Sequence, residues 1–445
     1  MVVVALIAGS AIALRPAPRE TNLTVWTFAD PHFRTYQPLA RAFEQRTGQT
    51  ITVNLVQGRA KNIRLQSSFM SGDVEAVPDL VEMEISSIGQ FFRPPVPDVG
   101  FVDLTQRLKD SGWYDRIVQT RFAPWSKRGH IFGVPHDVHP VVVTYRHDLF
   151  READIDLPSC TTWPAFHDAL VAFERYWHAR GYPRRHAIEL PAATADYVTV
   201  MLLQRGINLV DDRDRVFLAD PRVAHTIAFY AQMVAGPRNV ASESTGGQGS
   251  FTKDLQEGNI CAFVTPDWRV SYIRRYGKNA TDASLDLTGK MRMMPLPVFD
   301  ATDARTATWG GTMIGIPKAC PDPDRAWALL EYLYLSDDSL VAHQKNTDIL
   351  PPVKSHWNHP HYHQPDEFFG GQMAGELLVD LADEIPPRYV TPVTHIAQAS
   401  LAYVLNQAVG EVRAGRVDGL EQQCQLWLNA AAADVERRIK HWEFD

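Results

Sequence analysis

Glu82 and Glu84 close the segment Pro78-Asp79-Leu80-Val81-Glu82-Met83-Glu84. In an extended strand, residues two apart share a face, so both carboxylates lie on one side with Met83 and Ile85 opposite. Such carboxylates accept hydrogen bonds from ligand hydroxyls, Glu84 being the better placed. They equally suit the acidic entrance of a helix. They do not suit hydrolysis of a glycosidic bond, which needs carboxyl groups opposed across that bond. Trp309-Gly310-Gly311-Thr312 pairs an indole plate with two glycines that let backbone N–H groups approach a ligand, or that mark a bulge. Trp357 is a further plate candidate. It stands in His356-Trp357-Asn358-His359-Pro360-His361-Tyr362-His363, where an extended chain would turn His359, His361 and His363 one way, as zinc or copper ligands. No second ligand set accompanies them, so the run reads as a solvated loop and neither metal nor other cofactor is expected. No G-x-S-x-G elbow, phosphate loop or H-E-x-x-H site is present, so no catalytic residue is assigned.

These groups need a scaffold, and the bulk sequence bounds it. A chain of 445 residues exceeds one ordinary core and calls for two lobes. A hydrophobic share of 45% with 22% charged residues is the balance of a water-soluble globular chain. The net charge of -8 offers no basic face, which argues against a nucleic-acid partner. Cys160, Cys261, Cys320 and Cys424 show no metal spacing and are too few for a disulfide framework, although one bridge is possible. Cys261, within Ile260–Val264, reads as a buried thiol. Met1–Leu14 is uncharged and apolar, the length of a signal h-region, and Arg15, Pro16 and Pro18 end it. Residues 1–20 are therefore expected to be a signal peptide or an N-terminal anchor, placing the protein outside the cytoplasm.

Alternating strands and helices follow. Leu23–Phe28, Ile51–Val56 and Pro78–Met83 read as strands, with helices between them ending at Gly48 and Met70. This β-α-β-α-β order predicts mostly parallel sheets flanked by helices. Val141–Tyr145, Ala262–Thr265, Met291–Met294 and Trp309–Ile316 are further strands. Ala241–Ser250 reads as a flexible loop, Pro323–Leu335 as an amphipathic helix, and Pro392–Ile439 as helices.

Several landmarks, in order, resemble the extracellular solute-binding proteins of family 1, the maltose-binding-protein class. They are the Trp26 strand, Phe43-Glu44 to Gly48, Ser71-Gly72-Asp73 before Pro78-Asp79-Leu80-Val81, and Phe101-Val102-Asp103-Leu104-Thr105. More specific are Gly129-His130-Ile131-Phe132-Gly133-Val134-Pro135, Tyr145, Asp148-Leu149-Phe150 and Thr162-Trp163-Pro164-Ala165-Phe166. Glu257-Gly258-Asn259, Asp267-Trp268, Pro295-Leu296-Pro297, Gly310-Gly311, Pro317-Lys318 and Ala326-Trp327-Leu330 complete the series. The chain departs from the pattern at His136–Pro140, at Arg146 and at Cys261, which bears on the ligand rather than the fold.

The resemblance implies an α/β, two-lobed, type II periplasmic-binding-protein-like fold that closes on its ligand by a hinge motion. Residues 21–138 with 303–350 would form one lobe and 139–302 with 351–445 the other. Crossings would lie near Val138–Val141, between Pro295 and Thr306, and near Leu350–Val353. It also implies a monomeric carrier that binds carbohydrate and delivers it to an ABC permease. A sugar phosphate or polyol, a sensor partner, and a secreted glycoside hydrolase are the alternatives. An anionic ligand would call for arginines, and Arg146 and Arg269 look peripheral. The resemblance places Phe28 and Asp30 at a cleft edge, or in a solvated turn. It places His139 with Asp137 at the first crossing, as ligand contacts or as packed linker. Tyr197 borders the cleft or the core. Trp268, with Asp267 beside it, is the leading stacking plate, with a core indole as the other reading.

Overall fold

The structure is a computed structural model and describes residues 22–72, 77–242, 248–279 and 281–442. The expected leader lies outside the described residues. In the first lobe, β1 (Asn22–Thr27), α1 (Asp30–Thr47), β2 (Thr50–Leu55), α2 (Gly58–Ser71) and β3 (Leu80–Glu84) alternate as expected. Gly48 ends α1 in the left-handed region at φ 70°, its N–H donating to Glu44 O. Two-residue β4 (Val134–Pro135) ends the first pass through this lobe. β5 (Val141–Arg146) then begins the second lobe, followed by α3 (Trp163–His178), β6 (Ile188–Glu189), α4 (Asp196–Gln204), α5 (Pro221–Ala235), β7 (Ala241–Ser242) and α6 (Gln248–Glu257). β8 (Ala262–Pro266), α7 (Asp267–Gly277) and β9 (Met291–Pro295) continue that lobe. β10 (Thr312–Gly315) returns to the first, with α8 (Pro323–Leu335) and α9 (Asp337–Thr347). α10 (Ala374–Ala382), α11 (Thr394–Arg413) and α12 (Leu420–Ile439) end the described chain.

The strand orders are β2-β1-β3-β10-β4 in one sheet and β9-β5-β8-β6-β7 in the other. Parallel and antiparallel pairings are balanced, not mostly parallel as expected. β1 runs parallel to β2 and β3, and β6 to β7 and β8. β10 runs antiparallel to β3 and β4, and β5 to β8 and β9. The reason is topological: β5 and β10 enter their sheets from the opposite lobe instead of through a right-handed crossover within one lobe.

Each sheet has its own core. Leu23, Val25, Leu80 and Ile314 pack with Trp327, Leu330 and Leu333 of α8. Val141, Tyr145, Val264 and Leu296 pack with α3, α4, α5, α11 and α12. Between them the crossing segments lie side by side. Val138 N donates to Leu350 O at 3.0 Å and Val141 N to Ala307 O at 3.1 Å, and Pro140 bridges Thr308. Farther out, Arg128 meets Asp214 at 3.0 Å, and Arg93 stacks 4.4 Å above the Trp442 ring.

Two loops differ from expectation. Ala241–Ser242 pairs as β7 and Gln248 begins α6, leaving 243–247 outside the described residues. The His-rich run folds as 3-10 turns, Lys354–Asn358 and Pro360–His363, with Trp357 and Tyr362 buried as apolar anchors. All four cysteines are free. Among the described residues no cluster of His, Cys, Asp and Glu could hold a metal, and no helix is long and apolar enough to cross a membrane.

Candidate functional site in the interlobe cleft

A cleft of about 500 Å³ opens between the end of β3 and the N-termini of α4 and α11. Its first-lobe wall is Glu84, Ser86, Ser87 and Gln90. Its opposite wall is Asp196, Thr394, His395 and Gln398, and Trp309, Gly310 and Arg388 lie with them in the lining. Both helices enter without a side-chain cap, and at the entry of α11 the Thr394 N–H donates to Thr391 O and the Ile396 N–H to Val393 O. The cleft therefore combines carboxylate acceptors, hydroxyl and amide groups, a guanidinium and one half-buried indole. Burial first, then the neighbouring charge of Arg121, push the Arg388 guanidinium down to about 10, against the pull of Asp196. No carboxylate ion-pairs with Arg388 among the described residues, so its donors stay available.

Trp309 stands edge-on to Tyr197 at 5.0 Å and to Trp268 at 6.2 Å. Trp268 Nε1 donates to Trp309 O at 3.1 Å, so Trp268 braces the plate while Trp309 lines the cleft. Gly310 and Gly311 have φ of 89° and 145°, which L side chains rarely adopt, and this turn brings the chain from the crossing into the cleft wall. Tyr197 is buried, its hydroxyl donating to Glu189 and accepting from Arg269.

The two strand carboxylates part company. Glu84 is exposed in the cleft; Glu82 is 0% exposed inside the first lobe. Thr27, His32, Tyr36 and Tyr334 all donate to the Glu82 carboxylate, the tyrosines at 2.5 Å each, and Lys61 donates to its backbone oxygen. Burial would raise this carboxyl, but His32, His136 and Thr27 outweigh burial and hold it well below the usual range. Glu82 has no lone pair facing the cleft, so the expectation of a ligand contact there is corrected: alternation placed it beside Glu84, but the next layer of helices covers it.

Asp137, His139 and Asp267 are likewise buried, at 0%, 4% and 0% exposure, and their polar atoms are taken by one another and by the crossings. Asp137 and His139 pack within the crossing and Asp267 at the entrance of α7, and none of the three joins the cleft lining, which corrects their placement as ligand contacts. Trp357 is a core indole whose Nε1 donates to Pro351 O at 2.8 Å, which corrects its assignment as a plate. Phe28 lies under the Lys61 ammonium, 4.4 Å away. Asp30 pairs with Arg34 at 2.8 Å and lines a different interlobe hollow of about 510 Å³, with Arg274, Arg275 and Lys278. Arg146 and Arg269 are paired with Asp148 and Glu189. Sequence reasoning missed Arg388, Ser86, Gln90, His395 and Gln398. Only the helix-entry pattern near Pro392 signalled that segment, and nothing local said it would face β3.

The sequence profile of the bacterial extracellular solute-binding proteins matches residues 38–370, most of the chain. The chain belongs to that family. The arabinooligosaccharide-binding protein of Halalkalibacterium halodurans is 25% identical over 379 residues, 82% of this chain and 79% of the relative. That of Bacillus subtilis is 24% identical over 383 residues, 83% of each. The solved sugar-binding protein MalE from Xanthomonas citri aligns with TM-score 0.73 at 19% identity, covering 95% of this chain and all of the other, a likeness of fold. The extracellular family, the two-lobed α/β architecture and the role of solute binding anticipated from the landmarks are thereby established.

Proposed function

We propose that this solute-binding protein captures a carbohydrate in the interlobe cleft by hinge closure and hands it to an ABC permease, acting outside the cytoplasm as a monomer and without covalent chemistry. The observation that carries this reading is the lining of the cleft. Trp309 offers a face for sugar C–H groups, Glu84 and Asp196 accept from hydroxyls, and Arg388 donates to them. The names of the relatives, two arabinooligosaccharide-binding proteins and a lactose-binding protein, support an oligosaccharide. The lobes are assigned as residues 21–138 with 303–350 and 139–302 with 351–445, a division supported by β10 joining the first sheet and by α11 and α12 packing on the second core. Residues 1–20 would direct export or tether the chain.

Thermal shift and calorimetry across arabinooligosaccharides, β-galactosides, maltooligosaccharides and sugar phosphates test this. A ligand at a hundred times its Kd stabilises the folded state by about 2.7 kcal/mol, a clear rise in the unfolding midpoint. A midpoint unmoved by every sugar would remove the carbohydrate assignment. A response to sugar phosphates alone would assign Arg388 to an anion, and cleavage products would return the protein to the hydrolases.

A further inference from the structure

His139 sits between β4, which ends the first pass through the first lobe, and β5, the first strand of the second, in the left-handed region at φ 57°. Its Nδ1 is 2.5 Å from Asp267 Oδ1 and its Nε2 is 3.1 Å from Asp137 Oδ2. Ionised carboxylates only accept hydrogen bonds, and a neutral imidazole has one N–H. Two carboxylates on opposite ring nitrogens therefore require both nitrogens to be protonated. The remaining carboxylate contacts tie in the other crossings. Asp137 also holds Arg121 at 2.9 Å and the Thr312 N–H at 2.8 Å. Asp267 also holds the N–H groups of Trp268 and Leu350, at 2.7 and 2.8 Å. Arg121 in turn donates to Thr308 Oγ1 at 3.0 Å. Asp137, Asp267, His139 and Arg121 sum to zero charge, so a buried quartet is tolerated only while the imidazole keeps its second proton.

We infer that His139 is a positioning residue for solute capture: an imidazolium clasped between Asp137 and Asp267, it fixes the setting of the two lobes and of the Trp268–Trp309 wall. The chain of contact is short. Asp267 begins α7, Trp268 follows it and holds Trp309 O, and a Cβ on Gly310 would come within 3.5 Å of the His139 ring. The charged and titratable neighbours are Arg121, His136 at 3.7 Å from Asp137, and Tyr362, on which Asp267 acts. Burial opposes the charge on His139, but Asp137 and then Asp267 outweigh it and raise the ring to about 9. Loss of that proton leaves a buried net negative charge and one carboxylate facing a ring lone pair.

The inference rests on the cleft being the solute site, and its test has a readout that does not. Interlobe opening is followed by small-angle scattering of the unliganded protein from about pH 7 to 10.5, and arabinooligosaccharide affinity is followed over the same range. The parent is expected to open further than at neutral pH, and to lose about tenfold in affinity per pH unit, once the pH passes the His139 titration. Unliganded His139→Gln should be more open than the parent and about tenfold or more weaker at neutral pH, with no alkaline change in the scattering. His139→Gln combined with Asp267→Asn, which removes one charge of each sign, should regain part of the closure. A parent whose scattering does not change with pH overturns the proposal. So does a His139→Gln variant with the parent's alkaline slope, which would place the titration on Lys61 or Arg388. Should His139→Gln fail to fold, the double variant and the parent's pH series still decide. Scattering that shifts as expected while no sugar binds would spare the clasp and remove the carbohydrate reading.

Discussion

Trp309 and Trp268 differ in what they touch. Trp309 lines the cleft, and Trp268 keeps it there through one hydrogen bond to its carbonyl. Trp309→Ala should therefore cost about 1–3 kcal/mol of sugar affinity by calorimetry, with the unfolding midpoint little changed. Trp268→Phe, which keeps the ring and loses the N–H, should cost less than Trp309→Ala. The reverse order would return Trp268 to the place of plate. Glu82 belongs to a different problem. Its carboxylate satisfies four buried donors. Glu82→Gln turns an amide toward some of them and removes the charge they stabilise. A loss of about 3–5 kcal/mol in urea unfolding is expected, while a folded remainder binds sugar with parental affinity. Unchanged stability would mean the network contributes nothing.

At the scale of elements, the short 3-10 turn Gly89–Phe92 after β3 packs on the segment that leads into α11. A Cβ on Gly89 would lie 2.5 Å from Thr391 O, a backbone atom that cannot swing aside. The conformation of Gly89 is helical, so the glycine serves close approach rather than unusual φ. Gly89→Ala should push the first-lobe wall from the α11 wall and weaken sugar binding about tenfold, a change of about 1.4 kcal/mol. Unaltered affinity would show that this contact does not set the width of the cleft.

For the whole molecule, buried histidines set opposing pH limits. His139 is raised from 6.5 to about 9, so its contribution is complete below pH 6.5 and is lost as pH rises toward 9. His136 and His343 are lowered, first by burial and then by neighbouring histidines, so both take up protons less readily in the folded chain than in the unfolded one. The unfolded chain takes up those protons below pH 6.5, and stability falls in that direction too. Scanning fluorimetry from pH 4 to 10 should show the highest midpoint near pH 6.5 with a decline on both sides. A flat midpoint between 6.5 and 9 would mean that His139 carries no stabilising charge.

Local order was legible along the chain because strands and helices follow from period and caps within a few residues. Glycine after Arg46-Thr47, β-branched runs at 51–53 and the apolar spacing of 326–333 name their elements without any partner. The family pattern, too, is a matter of order and spacing, and so was readable. Which carboxylate meets solvent was not. Glu82 and Glu84 share a strand face, yet Tyr36 of α1 and Tyr334 of α8 cover only the first of them. Nor could sequence spacing bring Asp137, His139 and Asp267 together, since Asp267 is 128 residues beyond His139 and meets it only where the lobes join. Arg388 reaches the cleft for the same reason: the segment before α11 returns to β3. Residue types and their periods therefore determined the elements and the kind of protein. Which polar groups face the ligand, and which clasp the hinge, was decided by tertiary packing, because burial and pairing depend on neighbours remote in the chain.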